Sequence, residues 1–229
     1  MNMNMNMKMK TVAGMLAVGA LVASGSASAA PWSFSTTLAG WAASSGGTGV
    51  IIDGDGDVAF KLEVATTTIP DGVNGYITFS EFEVGGVDYY DVGITWDDAT
   101  GFPGGYSGGG QLVYSMTVLQ PSREQITGVA LDSLITGSGT TALKILRDLP
   151  ASTIFENLSS FDGSRDPSSG YATFSGRTVV GVQDVFQPSN TGVFQDVHDS
   201  FVVTSAPEPA SLLLVGIGLM GLVARRRSA

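Results

Sequence analysis

The chain has 229 residues, with 21 acidic and 11 basic side chains, one histidine and no cysteine. A net charge of −10 argues against a nucleic-acid partner, which would demand a basic footprint. The missing cysteines exclude disulfides, thiolate zinc sites and cysteine nucleophiles, and the single histidine excludes multi-histidine metal centres.

Met1 to Lys10 is a repetitive start with two lysines, Thr11 to Ala23 is apolar, and Ala27-Ser28-Ala29 is an A-x-A cleavage pattern. That order predicts a secretory signal peptide over residues 1–29, cut after Ala29 and fed to the secretion translocon. Its apolar core is too short and too rich in Gly and Ala to read as a membrane helix. Residues 30–205 then remain, enough for one domain with a real core. Lys8, Lys10 and three arginines lie in the two ends, so the middle is more acidic than the whole chain. Such a surface suits a soluble extracellular protein and attracts divalent cations.

Gly, Ser and Thr are plentiful and helix-favouring runs are few, an all-β composition. Trp32 to Trp41 reads as a first strand and Ser44 to Gly49 as a flexible link. Val58, Phe60, Leu62 and Val64 alternate with Lys61 and Glu63, as in a half-buried strand. Asp71-Gly72 and Asn74-Gly75 are turn signals. Tyr76 to Val84 and Val87 to Trp96 flank Gly85-Gly86 as a hairpin, although the alternation of the first strand is imperfect. Thr100 to Gly110 is a glycine-rich loop. Leu112, Tyr114, Met116 and Val118 alternate in the next strand, and Ile126 to Leu131 is another.

Ala142 to Leu149 is the best helix candidate, since Leu143, Leu146 and Leu149 recur at spacing three and Pro150 stops the run. A strand is the alternative there. Phe155 to Phe161 precedes a loop over Asp162 to Pro167. Tyr171 to Val182, Val185 to Gln187 and Val193 to Val203 are the last strands, with Val193, Val197, Phe201 and Val203 on one face of the last. No fixed-period repeat is present. Short strands with Gly turns predict a single β-sandwich or jelly-roll-like domain.

Asp53-Gly54-Asp55-Gly56-Asp57 is the sharpest local candidate for chemistry. Carboxylates at alternate positions wrap one hard cation in calcium loops. A full EF-hand loop would need Gly and Glu where Val58 and Val64 stand, so that pattern fails. The readings are a calcium site at Asp53, Asp55 and Asp57 or an acidic turn before a strand. His198, between Asp196 and Ser200, reads as an exposed strand histidine rather than a triad member, and no G-x-S-x-G elbow exists. Nothing marks any carboxylate pair for glycoside hydrolysis. No catalytic residue and no enzyme activity are expected. Trp32, Trp41, Trp96, Tyr89, Tyr90 and Tyr106, with Phe102 beside the last, are candidates for a sugar-stacking surface. Thr66-Thr67-Thr68 is the only threonine run, too little for a regular ice-binding face.

The chain closes on Pro207-Glu208-Pro209, an uncharged run from Ala210 to Ala224, and Arg225-Arg226-Arg227. The run falls short of the ~20 residues that span a ~30 Å hydrocarbon core, a shortfall absorbed by bilayer thinning and snorkelling arginines. The arginines hold the last turn in the cytoplasm. The prolines fix φ and push their neighbours into extended backbone, which presents Glu208 on a stiff segment of the kind that peptide-cutting enzymes bind. Gly216-Ile217-Gly218-Leu219-Met220-Gly221 fits G-x-G-x-x-G but lacks the acidic residue of a dinucleotide site. Its glycines form a small-residue face for helix contact in lipid.

This tail resembles the PEP-CTERM protein-sorting family, also labelled the ice-binding protein C-terminal domain. The likeness rests on Pro207-Glu208-Pro209, the Leu212 to Val223 helix and Arg225 to Arg227, within residues 206–229. It implies recognition by an exosortase-type membrane enzyme in exopolysaccharide-making Gram-negative bacteria. The processed protein would reach the outer surface or the extracellular matrix, in contact with exopolysaccharide. The expected whole is an exported β-sandwich with a structural role, or else a carbohydrate- or calcium-binding module, flanked by a signal-peptide helix and a C-terminal hydrophobic helix.

Overall fold

The computed structural model describes residues 31–69, 76–96, 105–120, 124–189 and 191–205. The signal segment with Ala27 and Ala29, the sorting motif and the terminal arginines lie outside them. Among the described residues no helix is long and apolar enough to cross a membrane.

The elements in order are β1 (Trp32–Thr37), α1 (Leu38–Gly47), β2 (Val50–Ile52), β3 (Val58–Leu62), β4 (Tyr76–Val84), β5 (Val87–Thr95), β6 (Gly110–Val118), β7 (Glu124–Thr136), β8 (Thr141–Asp148), β9 (Ile154–Phe161), β10 (Ala172–Arg177), β11 (Val179–Gln187) and β12 (Val193–Ser205). They form two six-stranded antiparallel sheets, ordered β1-β4-β5-β12-β7-β10 and β2-β3-β6-β11-β8-β9. Within them β5 pairs with β12, β6 with β11, β7 with β10 and β8 with β9. The chain is thus a long double ribbon, rolled so that β12 also meets β7 and β11 also meets β8. That is the winding of a jelly roll.

The core lies between the sheets. Phe60 of β3 meets Phe79 of β4 with ring centroids 5.2 Å apart, and Trp41 of α1 meets the same ring edge-on at 4.8 Å. Each ring removes a large apolar area from water, worth roughly 1.5–3 kcal/mol for a buried Phe. Val58, Phe60 and Leu62 are all buried, as their alternation predicts. The strand ends at Leu62, however, so Val64 is exposed. The β4–β5 hairpin turns on Gly85 and Gly86, both at positive φ, the backbone that a tight two-residue hairpin requires.

Three expectations are corrected. Ala142 to Leu149 is not a helix: Thr141–Asp148 is the strand β8, with Ala142, Lys144 and Leu146 pointing into the core. Trp32 to Trp41 is not one strand: its second part is helical, whereas Ser44, Ser45 and Gly46, in the expected link, leave helical φ/ψ. Thr37 ends β1 and caps α1, its hydroxyl accepting the Gly40 N–H at 3.0 Å. In β12 a bulge between Phe194 and Asp196 shifts the register. Phe194 is therefore fully buried, and Val193 only partly.

Candidate functional site

Six acidic residues, Asp53, Asp55, Asp57, Glu81, Asp88 and Glu124, gather at one end of the sandwich. Asp53 follows β2, and its carboxylate holds the turn: Oδ1 accepts the N–H groups of Gly56 and Asp57 at 2.9 and 3.0 Å, and Oδ2 accepts that of Val58 at 3.0 Å. Both glycines of the loop have a physical reason. Gly56 sits at φ +85°, and a Cβ on Gly54 would lie 2.9 Å from Trp32 Cδ1. Ligand oxygens of Asp53, Asp55 and Asp57 lie within 4.8 Å of one another. The three aspartates are therefore brought together as their spacing suggests.

The opposite sheet supplies three more carboxylates. Glu81 continues the inward row Ile77, Phe79 on β4 and is 2 % exposed. Asp88 shares the inner face of β5 with Tyr90, whose hydroxyl donates to Asp57 Oδ1 at 3.0 Å. Glu124 opens β7 and interacts with Asp57. Both oxygens of Glu81 and Oε2 of Glu124 are buried without a hydrogen-bond partner among the described residues.

Such crowding shifts protonation. Burial, then the Asp57 carboxyl, pushes Asp53 up to about 8. Burial, then the charges of Asp55 and Asp57, pushes Glu81 up to about 7. Glu124 is likewise raised to about 7, by burial and by Asp57. Burial also acts to raise Asp57, but hydrogen bonds from Asp53, Tyr90, Asp55 and Glu124 outweigh it and hold that carboxyl below its usual range. These groups repel one another as anions, and either protons or a hard cation removes that repulsion.

Glu81, Asp88 and Glu124 escape sequence reading because they stand far along the chain from Asp53. The one available signal is an acid at an inward position of an alternating strand, as in Ile77-x-Phe79-x-Glu81.

Other candidates resolve differently. His198 Nε2 lies 2.9 Å from Asp196 Oδ2, but the Ser200 hydroxyl donates to Asp91 on β5, so the three residues form no relay. The sugar-stacking set is largely overturned: Trp41, Tyr90, Trp96 and Tyr106 are buried core residues, which leaves Trp32 and Tyr89 partly exposed. Phe102 lies outside the described residues. Thr66 and Thr67 cap a turn, both hydroxyls donating to the Glu63 carbonyl.

The last described residue, Ser205, ends β12. From that residue, 205–227 match the family model described as the PEP-CTERM protein-sorting motif. The tail is a PEP-CTERM motif. Such a motif suggests a secreted protein targeted by exosortase sorting, and it covers only the C-terminal end of the chain. No curated protein matches the chain.

Proposed function

We propose that this is an exported, surface-sorted protein in which the PEP-CTERM tail is the substrate and the sandwich is the cargo. The signal peptide over residues 1–29 starts export, and the hydrophobic tail halts it in the inner membrane. An exosortase-type enzyme reads Pro207-Glu208-Pro209 and cuts there. The freed domain serves a structural, non-enzymatic role at the outer surface or in the exopolysaccharide matrix. The supporting observation is the join between fold and motif: β12 runs to Ser205, where the matched segment begins. Cutting at the prolines therefore removes none of the described strands. Determining the terminal residues of the chain at the cell surface tests this reading.

A second property is favoured by one specific observation, the buried Glu81 carboxylate that has no hydrogen-bond partner among the described residues. Calcium takes six to eight oxygen ligands, and the acidic end offers carboxylates from both sheets. Asp53, Asp55, Asp57, Glu81 and Glu124 would hold the ion, whose charge would offset their mutual repulsion. Calcium titration against melting temperature tests this.

A further inference from the structure

A second charged group lies in the middle of the core, away from the acidic end. Lys144 on β8 is fully buried, and Asp184 on β11 and Asp199 on β12 are each 2 % exposed. Asp184 sits opposite Lys144 in the β11–β8 register, and Asp199 reaches them from the other sheet. Lys144 Nζ is in direct contact with Asp199 Oδ1 and lies 3.8 Å from Asp184 Oδ1. The buried Tyr114 hydroxyl donates to Asp199 Oδ2 at 2.7 Å. The Phe201 ring lies over the amine, its centroid 4.7 Å from Nζ. Lys144 Nζ, Asp199 Oδ1 and both oxygens of Asp184 make no well-formed hydrogen bond among the described residues.

Stability is a poor reason for this arrangement. Each buried ion costs several kcal/mol to desolvate, and apolar replacements are often neutral or better. One lysine balances only one of the two carboxyl groups, so the other is favoured in its neutral form. The group does, however, hold every part needed to make an amide. It has an amine touching a carboxyl, a second acid beside both, and a hydroxyl aimed at the other carboxyl oxygen.

We propose that Lys144 and Asp199 condense into an intramolecular isopeptide bond, with Asp184 as the acid–base catalyst. The reaction needs no oxidant and no outside reactant. The ammonium proton passes to the Asp199 carboxylate, giving a neutral amine and a neutral acid in an apolar core. The Nζ lone pair attacks Cγ, and the negative charge that develops on Oδ2 is held by the Tyr114 hydroxyl. Asp184 takes a proton from the attacking nitrogen and delivers one to Oδ1. The Cγ–Oδ1 bond breaks, that oxygen leaves as water, and Asp184 ends with the proton it began with. Burial, then the neighbouring Asp199 charge, holds Asp184 well above the usual carboxylate range, against the opposing pull of Lys144. An acid that keeps its proton in the folded state suits this role. Amide formation from an acid is unfavourable between free molecules in water. Groups fixed in contact react with effective molarities of about 10⁵–10⁸ M, which lowers the barrier, and a neutral amide replaces two buried charges that are costly to desolvate, which favours the product.

The product joins β8 of one sheet to β12 of the other, a covalent clamp in a chain with no cysteine. This inference stands independently of the sorting reading. Its test is mass spectrometry of the purified folded chain before and after trypsin. The expected result is a mass short by one water, with the Lys144 peptide joined to the Asp199 peptide and no cut after Lys144. Asp184→Asn, which keeps the side-chain shape, is expected to fold with the full mass and separate peptides. Lys144→Met, which keeps length without charge, serves as the unlinked control should Asp184→Asn fail to fold. A folded wild-type chain with full mass and separate peptides overturns the proposal. So does a missing water that maps to an Asp-Gly pair such as Asp162-Gly163, where a succinimide forms instead.

Discussion

Glu81 and Lys144 occupy inward strand positions where an apolar side chain would satisfy the fold. For Glu81, a buried carboxylate with no hydrogen-bond partner among the described residues makes the metal-free domain less stable than it need be. Two opposite effects follow from Glu81→Gln. Without metal the variant melts higher than wild type, because a buried charge is gone. With calcium the wild type gains more, since a ligand at a hundredfold over its dissociation constant stabilises by about 2.7 kcal/mol. Asp55→Ala is expected to shrink the same calcium shift. Melting curves with calcium and with chelator read both effects. A wild-type melting point indifferent to calcium defeats the site.

His198 makes a separate prediction. Its hydrogen bond to Asp196 raises the imidazole above its ordinary 6.5, against burial. The folded state then favours the protonated ring. That stabilisation is complete below 6.5 and is lost as pH rises through the folded value. Urea midpoints measured across this range should fall with pH more steeply in wild type than in His198→Gln. Equal slopes would show that the Asp196 contact contributes nothing. The ring lies over Gly93, where an added Cβ would come within 2.7 Å of Cε1.

At the scale of elements, the hairpin and the alternating strands were legible because their side chains obey a period of two. Strand β8 was not, and the cause is Lys144. A charged residue on the buried face broke the alternation of Ala142-x-Lys144-x-Leu146 and let the leucines at spacing three suggest a helix. Glu81 blurred β4 in the same way. Local rules failed where the chain carries its unusual chemistry. Helix α1 was hidden for a different reason: its sequence, LAGWAASSGG, has a glycine inside and polar residues at its end. Trp41 anchors it, fully buried against Phe79 and Tyr114. Trp41→Ala leaves a cavity that so short a helix cannot close. The expected loss is about 3–5 kcal/mol by chemical denaturation, and a loss under about 1 kcal/mol would mean that α1 does not seal the core.

At the scale of the whole molecule, composition pointed to the sandwich but not to its winding. The pairing of β5 with β12 and β6 with β11 joins strands distant in sequence, and no local pattern records it. The three aspartates of the acidic end were visible because they are contiguous, whereas its other half arrives from the facing sheet. The tail was legible because its features are ordered along the chain itself. The sharpest trial of the sorting account is the intact mass, with terminal sequencing, of the protein recovered from the surface of its native host. The account predicts a chain that begins at Ala30 and ends near Pro207 to Pro209, without Arg225 to Arg227. A full-length chain with those arginines, found in the cytoplasm, would contradict it.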